Sequence, residues 1–271
     1  MSEAFSIDGN TLIMGMIGSP VAQVRTPQVI NPIFASAKAN IVCMPIHIED
    51  IEAAIRGLKA MQNLVGFGVT LPHKQSIAAL CDSLDPAAEQ AGAVNVVRRE
   101  RDGSFRGYQF DGRGFVGGLL AQGHDPSGRS VLVLGAGGAS AAIVTALVAA
   151  GASEVGISNR TRSKAEALAQ SVSASVGGRV YACEAVPKPG QIIINATSLG
   201  MDVADALPLD PALLDASMLV AEVVAKPAVT ELLQQATLRG AAIHSGQHMI
   251  ASQVPMIAEH FLELYGPTAS S

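Results

Sequence analysis

The chain has 271 residues, room for roughly two domains of ~150 residues each. Apolar residues make up 49% and charged residues 15%, a balance that excludes intrinsic disorder. Eighteen Lys and Arg against 23 Asp and Glu give a net charge of −5, aromatics are 4% and Trp is absent; the chain therefore offers neither a basic face for nucleic acid or an anionic membrane nor a stacking platform for single strands.

In chain order, MSEAFSIDGN is acidic and polar, so no signal peptide is expected. Short Val- and Ile-rich runs predict strands at Leu12–Ile17, Ile41–Ile46, Val65–Thr70 and Val94–Arg99. Helical spacing predicts helices at Pro27–Ala39, Ile48–Met61 and His73–Cys81, with Pro27 and Pro72 in two first turns. Such alternation implies an α/β unit with a largely parallel sheet. Arg98–Arg101 precedes Asp102-Gly103, a hairpin signal, and reads as a solvated turn. Gly112–Ala121 reads as a helix joining two halves, before a turn at His124–Gly128. A second alternation places strands at Val131–Leu134, Glu154–Ser158, Val180–Cys183, Ile192–Asn195, Leu219–Val224 and Ala242–His244, the count of a doubly wound fold. A last helix, Met249–Leu264, has no sheet of its own to complete and is expected to pack back on the first domain.

From Ser130 to Ser153 no residue is charged, long enough for a bilayer span. A β-branched run broken by GAGG and followed by an Ala-rich stretch fits strand, tight turn and buried helix instead, and no membrane is expected. Cys43, Cys81 and Cys183 lie far apart, which fits a reducing compartment, and the chain is expected to be cytoplasmic. His244 and His248 are four apart but lack a third ligand, and Met14, Met16 and Met44 read as core fillers, so no metal is expected.

The clearest motif is Val131-Leu-Val-Leu-Gly135-Ala-Gly137-Gly138-Ala-Ser140, a strand running through a glycine turn into a helix. Backbone N–H groups and a helix N-terminus there suit a pyrophosphate. After the second strand, where a carboxylate would select NAD, stand Asn159, Arg160, Thr161, Arg162, Ser163 and Lys164. Three cations suit a 2′-phosphate and favour NADP, with NAD the alternative. Val69-Thr70-Leu-Pro72-His-Lys74 supplies a lysine and Gly107-Tyr-Gln-Phe-Asp111-Gly-Arg-Gly114 an acid. Each is a weak signal alone; in one cleft, an Asp orients a Lys that shuttles a proton.

These segments, with Gly18-Ser-Pro20, Gly92-Ala-Val-Asn95, Asn159-Arg-Thr161, Asn195-Ala-Thr-Ser-Leu-Gly-Met201 and Gly246-Gln-His-Met249-Ile-Ala-Ser-Gln253, occur in an order that resembles the shikimate dehydrogenase family over nearly the whole chain. The resemblance implies a substrate domain at 1–108, a doubly wound (Rossmann) dinucleotide-binding domain at 109–245 and a returning helix at 246–271. It implies an oxidoreductase that transfers a hydride between NADP and a ring hydroxyl or ketone of a shikimate-like cyclic hydroxy acid, in aromatic amino acid biosynthesis. By the same likeness Lys74 and Asp111 form the proton-transfer dyad. Thr26, Thr70, Asn95, Asp111 and Gln253 meet the substrate, while Gly135, Ala136, Gly137, Gly138, Ala139, Asn159–Lys164, Val223 and Gly246 meet the cofactor. The expected partner is a small molecule, with the chain a monomer or homodimer.

The chain departs from the family pattern where that pattern holds the substrate carboxylate. Val24-Arg25-Thr26-Pro27 replaces Ser-x-Ser-Pro, and Glu222-Val-Val-Ala225-Lys-Pro227 replaces Asp-x-x-Tyr-x-Pro. Gly68 and Gln109-Phe110-Asp111 also differ from the usual Asn and Asn-Thr-Asp. Two alternatives stay open: an NAD-dependent quinate-type catabolic dehydrogenase, and a non-catalytic dinucleotide-binding sensor.

Overall fold

A computed structural model of the protein describes residues 6–267. Residues 1–5, read above for a leader, and 268–271, within the final expected segment, lie outside the described residues. Contacts divide the chain into two units: the described residues up to Phe110 with those from Val254 onward, and Asp111–Gln253.

The first unit runs β1 (Leu12–Gly18), α1 (Thr26–Ser36), β2 (Ile41–His47), α2 (Ile51–Ala60), β3 (Leu64–Val69), a 3-10 helix (Ser76–Leu80), β4 (Ser83–Leu84), α3 (Pro86–Ala91), β5 (Val96–Arg99) and β6 (Phe105–Tyr108). Its sheet has the order β2-β1-β3-β5-β6-β4. α2 starts where Asp50 accepts the Ala53 N–H, and it presents Ile51, Ile55 and Leu58 to a core of Ile17, Phe67, Val97 and Phe105.

The sheet is parallel-rich, as expected, with β5 antiparallel to both β3 and β6. Residues 100–104, which turn through Gly103 at φ +86, are too short for the crossover that parallel strands require. Arg98 and Arg99 are half-buried and held by hydrogen bonds rather than simply solvated. Arg98 bonds Glu100, the Tyr108 hydroxyl and the His260 carbonyl, and Arg99 bonds the carbonyls of Leu64, Leu58, Lys59 and Met61. In place of a helix from His73 to Cys81 there is a turn with a cis Leu71–Pro72 bond and then the short 3-10 helix, so Pro72 opens no helix. The chain then enters β4, just before which Asp82 accepts the Phe105 N–H. Met44 is 41% exposed on edge strand β2 and fills no core.

The second unit holds α4 (Asp111–Ala121), β7 (Ser130–Leu134), α5 (Gly138–Ala149), β8 (Glu154–Ser158), α6 (Arg162–Val176), β9 (Val180–Ala182), β10 (Ile192–Asn195), β11 (Leu219–Glu222), α7 (Glu231–Leu238), β12 (Ala242–His244) and the start of α8 (Gly246–Tyr265). All strand pairs are parallel, in the order β12-β11-β10-β7-β8-β9. That is the doubly wound order, which reverses between β7 and β10. Val131, Val133, Ile192 and Ile194 face the α5 side, while Leu132, Leu134, Ile193 and Val220 face the α7 side. The uncharged stretch from Ser130 is thus a central strand and a buried helix. Among the described residues no helix is long and apolar enough to cross a membrane.

From Val254 onward α8 belongs to the first unit. Its Tyr265 hydroxyl donates to the Arg99 carbonyl at 2.6 Å, and Phe261 is fully buried beside Gly66.

Candidate active site

In the first unit, the ends of β1 and β3 meet so closely that a Cβ on Gly18 would lie 2.4 Å from Thr70 Cγ2. The Thr70 N–H donates to the Ile17 carbonyl and the Ser19 N–H to Leu71. His73, 4% exposed, sets its Nε2 2.6 Å from the Ile48 carbonyl and pins the turn that presents half-buried Lys74. The Lys74 carbonyl accepts the Val94 N–H. Asn95 is buried, and its Oδ1 accepts the Phe110 N–H at 2.8 Å. This unit therefore gathers Thr70, Lys74 and Asn95 around the ends of β3 and β5. Thr26 opens α1 half-buried, next to exposed Arg25 and half-buried Val24.

In the second unit Asp111 begins α4 at 2% exposure, and its Oδ1 accepts from Gln253 Nε2 at 2.8 Å. Glycines make this pairing sterically feasible. A Cβ on Gly114 would stand 2.5 Å from Gln253 Cβ, and one on Gly112 would stand 2.2 Å from the Ala142 carbonyl of α5.

The glycine turn follows β7. Gly135 has φ +114, and a Cβ there would also meet the Ala196 carbonyl at 3.0 Å. Gly137 is the N-cap of α5 and carries no side chain to satisfy the first amides of the helix, which leaves a backbone cradle fit for phosphate oxygens. Gly138 and Ala139 form the first turn beside half-buried Ala136. After β8, Asn159 bonds the Thr161 carbonyl, Thr161 stands at the N-cap position of α6 without a side-chain capping bond, and Arg160, Ser163 and Lys164 are exposed. Arg162 is engaged with Glu166 and Glu184. The Val223 N–H donates to the Asn195 carbonyl, and a Cβ on Gly246 would lie 2.5 Å from the Val224 carbonyl.

Two groups that the sequence named without giving them a role are buried ionisable side chains. Glu222, fully buried, accepts from Asn195 Nδ2 with both carboxylate oxygens and from the Thr230 hydroxyl. Burial pushes its carboxyl up to about 7. His244, 1% exposed, stacks near His248 and His124, and burial lowers its imidazole to about 4. Among the described residues no group of three or more His, Cys, Asp or Glu is placed to hold a metal ion.

A six-stranded parallel sheet with reversed order, a glycine turn at the reversal and a cation-rich turn after the next strand define a dinucleotide-binding α/β fold, carried here beside a separate mixed α/β unit. The family models for the shikimate dehydrogenase substrate binding domain and for shikimate / quinate 5-dehydrogenase match residues 16–97 and 120–202. The chain belongs to the shikimate dehydrogenase family. It is 42% identical to the shikimate dehydrogenase (NADP(+)) of Rubrobacter xylanophilus, over 91% of this chain and 89% of that one. The shikimate dehydrogenase structure from Aquifex aeolicus superposes with a TM-score of 0.86 at 32% identity, covering 97% and 96% of the two chains. The ligand-free 5-ketofructose reductase of Gluconobacter sp. strain CHM43 matches with a TM-score of 0.82 at 30% identity, covering 95% of each.

Proposed function

We propose that the protein is an NADP-dependent oxidoreductase that interconverts a ring hydroxyl and a ketone on a shikimate-like cyclic hydroxy acid. The observation that carries this reading is the open α5 N-terminus behind Gly135 at the strand-order reversal, with Arg160 exposed after β8. Residues 135–139 would hold the pyrophosphate through backbone amides, Arg160 and Lys164 would meet the 2′-phosphate, and Val223 and Gly246 would flank the nicotinamide. The cofactor supplies or accepts the hydride. Residues 1–108 act as the substrate domain and 109–245 as the dinucleotide domain. Thr26, Thr70, Asn95, Asp111 and Gln253 bind substrate hydroxyls. Lys74 carries the proton to and from the ring oxygen, with Asp111 as the carboxylate of the pair. Several relatives bear the name shikimate dehydrogenase (NADP(+)), which supports both the chemistry and the cofactor.

A second reading concerns the substrate. Val24 and Ala225 cannot donate hydrogen bonds, and a carboxylate left with too few partners costs several kcal/mol. A relative at 30% identity is named for reduction of 5-ketofructose. Together these favour a ring or keto compound without the carboxylate. The test is a panel of cyclic hydroxy acids, their ketones and keto sugars, assayed with NADP(H) and NAD(H) while reduced cofactor is followed by absorbance. Turnover with NADP(H) is expected. Cofactor binding with no turnover on any member would favour the sensor.

A further inference from the structure

In doubly wound sheets ligands bind outside the carboxyl ends of the strands, at the point where strand order reverses. Here that edge is formed by the loops leaving β7, β10 and β11. The β10 loop lies against the glycine turn, because the Ala196 carbonyl accepts from Ser140 Oγ at 3.4 Å. Its shape is set by Asn195, whose Oδ1 accepts from the Thr197 N–H and hydroxyl and whose Nδ2 donates to the Leu199 carbonyl. Asn195 is held in turn by Glu222, at 3.1 and 2.9 Å to the two carboxylate oxygens. The same carboxylate accepts from Thr230 Oγ1 at 2.8 Å and from the Val224 N–H, which fastens the β11 loop and the N-cap of α7. Glu222, Asn195 and Thr230 are all 0% exposed.

The carboxyl receives an amide NH₂, a backbone N–H and a hydroxyl, the last of which also accepts the Leu233 N–H. A glutamine has one acceptor oxygen in place of two and would turn its NH₂ toward the Asn195 amide or the Val224 N–H. We infer that Glu222 is a positioning residue of the dinucleotide site, fixing the β10 and β11 loops in the shape that receives the cofactor. This rests on the dinucleotide-binding reading above.

The test uses the full chain and fluorescence titration with NADPH. Glu222→Gln is expected to raise the Kd about tenfold or more, the scale of one buried donor left unpaired. In turnover the loss falls on KM for NADP rather than on kcat. Glu222→Asp keeps the acceptors and is expected to restore affinity to within about threefold. Gln191→Leu is the stability control. Gln191 is 3% exposed and bonded to Ser130 and Lys188 at the opposite edge of the same sheet, and its loss is expected to lower Tm without moving the Kd. Should Glu222→Gln not fold, Thr230→Val removes one donor while keeping shape, and a raised Kd is expected again. Tight binding by Glu222→Gln, or by Thr230→Val in its place, overturns the inference. So does an Asp variant as weak as the Gln variant, or a Gln191→Leu loss as large as that at Glu222. Wild-type protein that binds no NADPH overturns instead the function proposed above.

Discussion

Arg160 and Arg162 sit two residues apart, one before α6 and one at its first position, in different surroundings. Arg162 is held by Glu166 at 2.9 Å and Glu184 at 2.8 Å, while Arg160 is exposed and enters no ion pair among the described residues. The proposed 2′-phosphate contact is therefore assigned to Arg160, with Lys164, and not to Arg162. Arg160→Asp is expected to weaken NADP by roughly 1.5–3 kcal/mol and NAD far less, as measured by parallel titrations. Wild-type protein that already prefers NAD would contradict this assignment. The substrate end makes its own prediction. With Val24 and Ala225 unable to donate, shikimate is expected to show a high KM, and Val24→Ser with Ala225→Tyr is expected to lower it. A low-micromolar KM for shikimate in the unaltered protein would refute that reading of the pocket. At this scale the glycine turn and the Asn159–Lys164 segment were legible because their chemistry is local in the chain. The Glu222–Asn195–Thr230 tie was not, because its members are 27 and 8 residues apart and join only once β10 and β11 pair. Nor was the Gln253–Asp111 bond, which spans 142 residues.

Among the elements, the six strands of the second sheet were visible as short runs bounded by turn residues, most clearly β7, β10 and β11, which are buried on both faces and so read as nearly continuous apolar runs. The first unit hid more. β4 has two residues and β6 carries Arg106 and Gly107 at its centre, so neither shows a β pattern. Arg98 and Arg99 read as solvated because only the folded chain supplies their carbonyl partners. The ends of β11 and β12 carry two buried ionisable groups with opposite effects. Glu222 is raised from 4.5 to about 7, so its contribution to stability is complete below 4.5 and disappears as pH rises through 7. His244 is lowered from 6.5 to about 4, with His248 and His124 adding to the desolvation, so its contribution is complete above 6.5 and disappears as pH falls through 4. Each is worth on the order of 3 kcal/mol across its window, and between the two unperturbed values they oppose. Glu222→Gln is expected to lose Tm relative to wild type as pH falls from about 7 to 5, and His244→Phe to lose it as pH rises over the same range. Parallel Tm–pH curves for all three proteins would contradict the assignment.

For the whole molecule, the proposed reaction is divided between two units: Lys74 belongs to the first, and the cradle at Gly135–Ala139 to the second. Proton transfer and cofactor binding are therefore separable by mutation. The most direct measurement compares wild type and Lys74→Ala on the best ketone of the panel, with kcat from NADPH consumption and Kd from NADPH titration. The variant is expected to lose about 10²–10⁴ in kcat, the range of a positioned acid–base group, while its Kd for NADPH stays at the wild-type value. Near wild-type turnover by Lys74→Ala would contradict its assignment as the proton carrier.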